Sequence, residues 1–311
     1  MSAGTVKKVN SLTDAITIEN LTKSFHGRPV LQDLNLSVPR GSIFGFIGPN
    51  GAGKTTTIRL LLGLLKPDAG KITILGQDLR THSIALRRRI GYVSEQASFY
   101  PWMQVDELVK FNAGFFPTWE REKTAHLLKI FHLDPTARVK ELSRGMLTQL
   151  SLIMALSHHP ELLILDEPTA GLDPVWRRRF LQLLSEETAG GETTVFLSSQ
   201  ILTDIERIAD RLAIIVNGQI RVVRTLDKLK HHEKIIRVVF QQAAPETLLN
   251  TPGIRSIERQ GHGYLLTVED HFDEIYEALS RTPHFALEII EQDLEEIFLN
   301  YAASEEDPHN A

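Results

Sequence analysis

Two short stretches of the sequence hold residues of the type and spacing that phosphate chemistry needs. Gly48-Pro49-Asn50-Gly51-Ala52-Gly53-Lys54-Thr55 fits the pattern G-x-x-x-x-G-K-[ST]. Glycines there let successive backbone N–H groups crowd around an anion, and a helix opening at the end of the motif adds positive potential. Lys54 is placed to reach the β- and γ-phosphates of a nucleotide, Thr55 to offer a hydroxyl to Mg²⁺, and Thr56 to add a hydroxyl near the α-phosphate. The second stretch, Leu162-Leu163-Ile164-Leu165-Asp166-Glu167, is an apolar run ending in two consecutive carboxylates. Asp166 is expected to hold Mg²⁺ through water, and Glu167 to polarise the water that attacks the γ-phosphate. The two clusters together imply a site for ATP and Mg²⁺.

Such a site needs strands to aim it. Ile16 and Ile18, and then Leu34, Leu36 and Val38, alternate with polar residues and read as half-buried strands. Ile43–Ile47, an apolar run, leads straight into the glycine motif. Ile58, Leu61, Leu62 and Leu65 follow at helical spacing, with Lys66-Pro67-Asp68 as the expected stop. Further strands are expected at Ile72–Leu75, Ile90–Val93, Leu162–Leu165, Thr194–Leu197 and Leu212–Val216, with helical patterns between several of them. That alternation predicts an α/β fold with a mixed, largely parallel core sheet. Residues 100–160 carry helical patterns only and read as an inserted helical subdomain, including a helix with Leu147, Leu150, Ser151 and Met154 on one face that stops at Pro160. Beyond residue 230 four strand patterns and two helix faces, Phe272/Ile275/Tyr276/Leu279 and Leu294/Ile297/Phe298/Tyr301, predict a small α+β domain. The expected division is a polar tail over 1–14, a nucleotide-binding domain over 15–228, the small domain over 235–303, and a polar tail over 304–311.

Composition narrows the classes. Hydrophobic residues at 42% and charged ones at 23% allow a real core in a chain of 311 residues. The absence of cysteine excludes disulfides, iron–sulfur clusters and a thiol nucleophile. A formal charge of −5 gives no bulk positive field, so no nucleic-acid partner is expected. No apolar stretch approaches the ~18 residues needed to cross a bilayer, and residues 1–15 lack the apolar core of a secretory signal, which points to the cytoplasm. The pairs His158-His159 and His231-His232 lack metal-ligand spacing and read as solvated polar residues, and the runs Arg87-Arg88-Arg89 and Arg177-Arg178-Arg179 read as solvated faces.

A third motif, Leu142-Ser143-Arg144-Gly145-Met146, precedes the helix ahead of Asp166, and Ala170-Gly171-Leu172-Asp173 follows Glu167. With these four motifs in this order, residues 15–228 resemble the nucleotide-binding subunit of an ATP-binding cassette (ABC) transporter. The resemblance makes Leu142–Met146 the signature that contacts ATP held by a second copy, and Asp173 the D-loop acid. It implies two ATP molecules buried in a head-to-tail dimer with two-fold symmetry, which opens on hydrolysis. It matches Phe25 to the aromatic that stacks on adenine and sets a catalytic role at position 200. The tail around Asp293–Leu299, the segment Gly91–Glu95 and the LSRGM signature are similar to ABC-2 type, drug-exporter-like subunits. That similarity implies a separate integral-membrane permease as partner, a location at the cytoplasmic face of the membrane, and export. Phe99, Tyr100 and Trp102 are candidates to meet the permease.

Three features depart from the family pattern. The signature carries Arg144 and Met146, and Glu95 stands where a glutamine that touches Mg²⁺ is expected, with Gln96 next; either Glu95 or Gln96 can serve. Gln200 replaces the switch histidine. Its amide still donates a hydrogen bond but carries no positive charge, which implies slower hydrolysis rather than lost binding. Two other classes stay open from sequence: a low-turnover regulatory cassette and a soluble ABC ATPase without a permease.

Overall fold

The structure, a computed structural model, describes residues 14–303 except 233, 243, 246–250, 262, 269–270 and 292; the expected tails lie outside the described residues apart from Asp14, which opens the first strand. In chain order the first half runs β1 (Asp14–Phe25), β2 (Arg28–Pro39), β3 (Ile43–Ile47), α1 (Lys54–Leu61), β4 (Ala69–Ile74), β5 (Gln77–Asp78), α2 (Leu79–Arg87), β6 (Ile90–Val93), α3 (Val105–Ala113) and α4 (Arg121–Ile130). It continues with α5 (Arg144–Leu156), β7 (Leu162–Asp166), α6 (Pro174–Thr188), β8 (Thr194–Ser199), α7 (Leu202–Ile208), β9 (Arg211–Val216) and β10 (Gln219–Thr225). The chain divides into two compact units, Met1–Val223 and Arg224–Ala311.

The first unit holds two sheets. β2-β1-β4-β5 is an antiparallel sheet. β1, at its interior, is buried on both faces over Asp14–Ile18, where alternation suggests one buried face: Ala15 on one face and Ile16 and Ile18 on the other all belong to the hydrophobic core. The second sheet has the order β10-β9-β3-β8-β7-β6, and β9, β3, β8, β7 and β6 all run parallel. Their residues are nearly all buried, as expected for a parallel sheet covered on both faces. Phe44, Phe46 and Phe196 pack ring to ring at the centre, with centroids 5.2 and 6.0 Å apart. In such sheets ligands bind beyond the carboxyl ends of the strands, and the motifs sit there: Gly48 follows β3, Asp166 ends β7, Gln200 follows β8 and Glu95 follows β6. The helices α3, α4 and α5 fall between β6 and β7.

Three local expectations are corrected. α1 stops at Leu61, short of Leu65, because Gly63 takes φ +65° and ends it with a left-handed turn. α5 stops at Leu156, before Pro160; the Ser157 hydroxyl donates to Ile153 O at 2.6 Å, and Thr124 Oγ1 donates to Ser157 Oγ at 2.9 Å. His158 is not solvated: it is 2% exposed and stacks on Phe116 with centroids 4.0 Å apart. Its ring nitrogens lie 3.4 Å from Met154 O and 3.3 Å from Ile90 O, and burial lowers its pKa. Two arginines of the expected solvated faces are also tied down. Arg89 forms a two-pronged pair with Glu161, and Arg177 approaches the buried Asp204 at 3.9 Å.

The second unit comprises α8 (Leu226–His232), β11 (Lys234–Phe240), β12 (Ile254–Gln260), β13 (Gly263–Val268), α9 (Phe272–Ser280), β14 (His284–Glu291) and α10 (Leu294–Ala303). Its antiparallel sheet has the order β12-β13-β11-β14. Ile236, Val238, Phe240, Leu266 and Val268 form a core with Ile275 and Leu279 of α9.

Candidate nucleotide site

The loop between β3 and α1 is shaped by its glycines. A Cβ on Gly48 would stand 2.3 Å from Ile215 O, so only glycine lets the loop pass under β9. Gly53 holds φ +106°, and a Cβ there would meet Leu31 at 2.6 Å. The turn is drawn together by the Ala52 N–H, which donates to Pro49 O at 3.2 Å, and the Thr57 hydroxyl, which donates to Gly53 O at 2.9 Å. Lys54, 7% exposed, curls over this loop and donates to Gly48 O at 2.7 Å and Pro49 O at 3.3 Å.

The carboxylates approach from β7. Asp166 is buried and accepts from Ser198 Oγ at 2.8 Å and from Thr55 Oγ1 at 3.4 Å, so the two residues assigned to a metal are neighbours. Glu167 takes φ +48°, a left-handed conformation seldom adopted by a residue with a side chain. Its carboxylate accepts the Gln200 N–H at 2.9 Å through Oε2, while Oε1 is buried without a hydrogen-bond partner and lies 3.6 Å from Lys54 Nζ. Burial raises the Glu167 pKa, against the opposing pull of the Gln200 N–H and Lys54. A carboxylate so placed is a better proton acceptor than one in water. The Gln200 side chain turns to the loop and donates to Asn50 Oδ1 at 2.6 Å.

Lys54, Thr55, Glu167 and Gln200 share one cavity of about 570 Å³ with Val30, Asn50, Gly51, Gly53, Thr56 and Glu95; the buried Asp166 is not part of its lining and meets it through Thr55. Between the two metal candidates, Glu95 lines this cavity and Gln96 lines another, with Arg144. Phe25 does not line it; it stands exposed at the end of β1, with Lys23 Nζ 5.4 Å from its ring centroid. Val30, which polar surroundings hid in the sequence, supplies the apolar wall.

The signature lies apart from this cavity. Ser143 caps α5, its Oγ accepting the Met146 N–H at 3.2 Å, with Leu142 buried behind it. Gly145 leaves 3.4 Å between a would-be Cβ and Leu172. Arg144 is exposed and passes about 4 Å from where Gly171 would carry a side chain. Asp173 caps α6, accepting from Val175 N at 3.0 Å and Trp176 N at 3.1 Å. Tyr100 and Trp102, expected to meet the permease, are exposed, and the structure extends them with two aromatics that sequence reading did not single out, Phe111 and Phe115. Trp102, Tyr100, Phe111 and Phe115, all exposed, form a continuous ladder with ring centroids 5.2–5.8 Å apart. The spacing of Phe111 and Phe115, four apart on α3 and its end, was the available signal, but the same spacing marks a core face.

A glycine loop opening a helix, a buried lysine over it and two carboxylates at the next-but-one strand define a P-loop nucleotide hydrolase. Residues 31–170 match the family model for ABC transporters. The chain is 37% identical over 225 residues to the bacitracin transport ATP-binding protein BcrA of Bacillus licheniformis, covering 72% of this chain and 74% of that one. It is 38% identical over 215 residues to the Nod factor export ATP-binding protein I of Bradyrhizobium diazoefficiens, covering 68% and 70%. Among solved structures, an ATP-binding subunit of an ABC transporter superposes with a TM-score of 0.65 at 30% identity, covering 70% of this chain and 92% of that one. The chain belongs to the ATP-binding proteins of ABC transporters, and its activity is ATP hydrolysis.

Proposed function

We propose that the chain drives a separate integral-membrane permease of the ABC-2 type in export, working as a pair of copies that clamp two ATP molecules between them. The observation that carries this reading is the separation of the signature from the phosphate loop. Ser143 and Arg144 lie outside the cavity that holds Lys54, Glu167 and Gln200, so the signature is free to close over a nucleotide on another copy. No described helix is long and apolar enough to cross a membrane, which leaves the path to another chain. The exposed ladder Trp102–Tyr100–Phe111–Phe115 suits an apolar helix of that permease. Similarity to a protein named for Nod factor export supports export, and in this reading the chain works at the cytoplasmic face of the membrane, held there by the permease. The division into a cassette over 15–228, its helical insertion over 100–160 and a tail domain over 235–303 belongs to the same reading.

The residues fit Mg²⁺. Thr55 Oγ1 and Asp166 Oδ1 are adjacent oxygens, Glu95 lines the same cavity, and Glu167 Oε1 is a buried oxygen with no hydrogen-bond partner. Thr55 and Asp166 supply two ligands at most, and an ion of this kind takes the rest from phosphate and water. Bound there, Mg²⁺ supplies charge that neutralises the β- and γ-phosphoryl oxygens. The protein groups do the rest. The Gly48–Thr55 loop grips the phosphates, Lys54 moves from loop carbonyls to phosphoryl oxygens, and Phe25 stacks on the base. Glu167 takes the proton of the attacking water, helped by its raised pKa. Gln200 offers an uncharged amide to the phosphoryl group, so turnover is slow beside a histidine-bearing cassette.

Affinity purification of the tagged chain from detergent-solubilised membranes tests the partner. A co-purifying chain with six apolar spans is expected, with Trp102→Glu reducing its recovery. Recovery of soluble partners alone contradicts the reading.

A further inference from the structure

Ser198, the fifth residue of β8, has no part in the chemistry above, yet its side chain is fully buried and engaged twice. Its hydroxyl donates to Asp166 Oδ1 at 2.8 Å and accepts the Glu167 N–H at 3.1 Å. Sheet register builds the contact: Asp166 of β7 pairs directly with Ser198 of β8 in the parallel ladder. The same Glu167 N–H also reaches Ser198 O at 3.2 Å, and two residues on the Gln200 N–H holds the Glu167 carboxylate at 2.9 Å. Glu167 stands at φ +48°, and such a residue persists only where its surroundings over-determine it. Ser198 and Gln200 provide that determination, one on the backbone and one on the side chain.

We propose that Ser198 is a positioning residue for both acids of the site. One hydroxyl has one proton to give and lone pairs to receive. Here the proton fixes the Asp166 carboxylate, alongside Thr55 Oγ1 on the same oxygen at 3.4 Å, and a lone pair pins the Glu167 backbone. Alanine can do neither; threonine can do both and suits a strand. The role rests on the reading of Asp166 as the residue facing MgATP. Because Ser198 O remains on the Glu167 N–H, the strained residue keeps one anchor in the alanine variant and the fold survives.

The test compares full-length wild type, Ser198→Ala and Ser198→Thr. It measures the affinity for a fluorescent ATP analogue with Mg²⁺ and with EDTA, and kcat and KM for ATP. A hydrogen bond to a charged group is worth enough for a change of about tenfold or more. Ser198→Ala is therefore expected to lose about tenfold or more in kcat and in the preference for the Mg²⁺ complex over the EDTA condition. Affinity in EDTA stays within about twofold, and Ser198→Thr recovers both losses. Wild-type kcat and metal preference in Ser198→Ala overturn the proposal, as does an equal loss of affinity with and without Mg²⁺, or a threonine variant no better than alanine. A wild-type protein that binds no ATP in either condition overturns the nucleotide reading itself, and the role of Ser198 with it.

Discussion

Replacing Gln200 with histidine is expected to speed hydrolysis, and the structure sets the size of the gain. Gln200 occupies the lip of the phosphate cavity, and its amide donates to Asn50 Oδ1 at 2.6 Å. An imidazolium at that place gives the phosphoryl group a charge-assisted hydrogen bond in place of a neutral one. Such bonds are about twice as strong, a difference of roughly 1–2 kcal/mol. The histidine gives up the Asn50 contact, an exposed hydrogen bond worth about 0.5–1 kcal/mol. The balance, about 1 kcal/mol, corresponds to roughly a fivefold rise in kcat. Phosphate release followed across pH is the assay. The variant is expected to hold KM for ATP within about twofold and to lose its advantage as pH rises through the imidazole range near ~6.5. Asn50→Ala is expected to slow the wild type, whose amide it frees, and to leave the histidine variant unchanged, a non-additive pair. An unchanged or lower kcat in Gln200→His, or an advantage independent of pH, refutes the reasoning.

Two carboxylates predict opposite pH effects on stability. Burial raises the Glu167 pKa, so the charged form is a burden on the fold: its contribution to stability is full below the unfolded value near ~4.5 and lost as pH rises through the higher folded value. Glu167→Gln is thus expected to raise Tm at pH 7 and to show no gain near pH 4, by differential scanning calorimetry. The Arg89 pair lowers the Glu161 pKa, so that contribution is present above the unfolded value and lost as pH falls through the folded one. Glu161 is 40% exposed, and solvent screening leaves about 0.5 kcal/mol; Glu161→Gln is expected to cost about 1–2 °C at pH 7 and nothing at low pH. Phe25→Ala is expected to weaken ATP binding about tenfold, from a lost stacking worth roughly 1–3 kcal/mol per base, with Tm unchanged because the ring is exposed.

The phosphate loop was legible because each residue type there answers a local demand: Gly48 and Gly53 a steric one, Lys54 and Thr55 a chemical one. The α/β layering was legible from period alone, as the parallel order β9-β3-β8-β7-β6 shows. What stayed hidden depends on contacts between distant segments. Ser198 owes its place to register across β7 and β8, which no spacing within one strand announces. Glu95 and Gln96 each offer an oxygen and stand one residue apart, and only the course of the loop after β6 sends them to different cavities. His158 reads as polar in a sequence, and becomes buried because Phe116, 42 positions earlier, stacks on it and two carbonyls approach its nitrogens. The apolar pattern through Leu65 suggested a longer α1 because period ignores the left-handed turn that Gly63 permits.

Paired copies joined by ATP are most directly tested by sedimentation velocity of the Glu167→Gln variant. Its carboxamide cannot take the proton of water, so ATP persists between the copies. With saturating MgATP the variant is expected to sediment as a dimer of about 70 kDa, twice the 35.0 kDa chain, and as a monomer with ADP. A variant that binds MgATP and remains monomeric at every protein concentration contradicts the two-copy clamp.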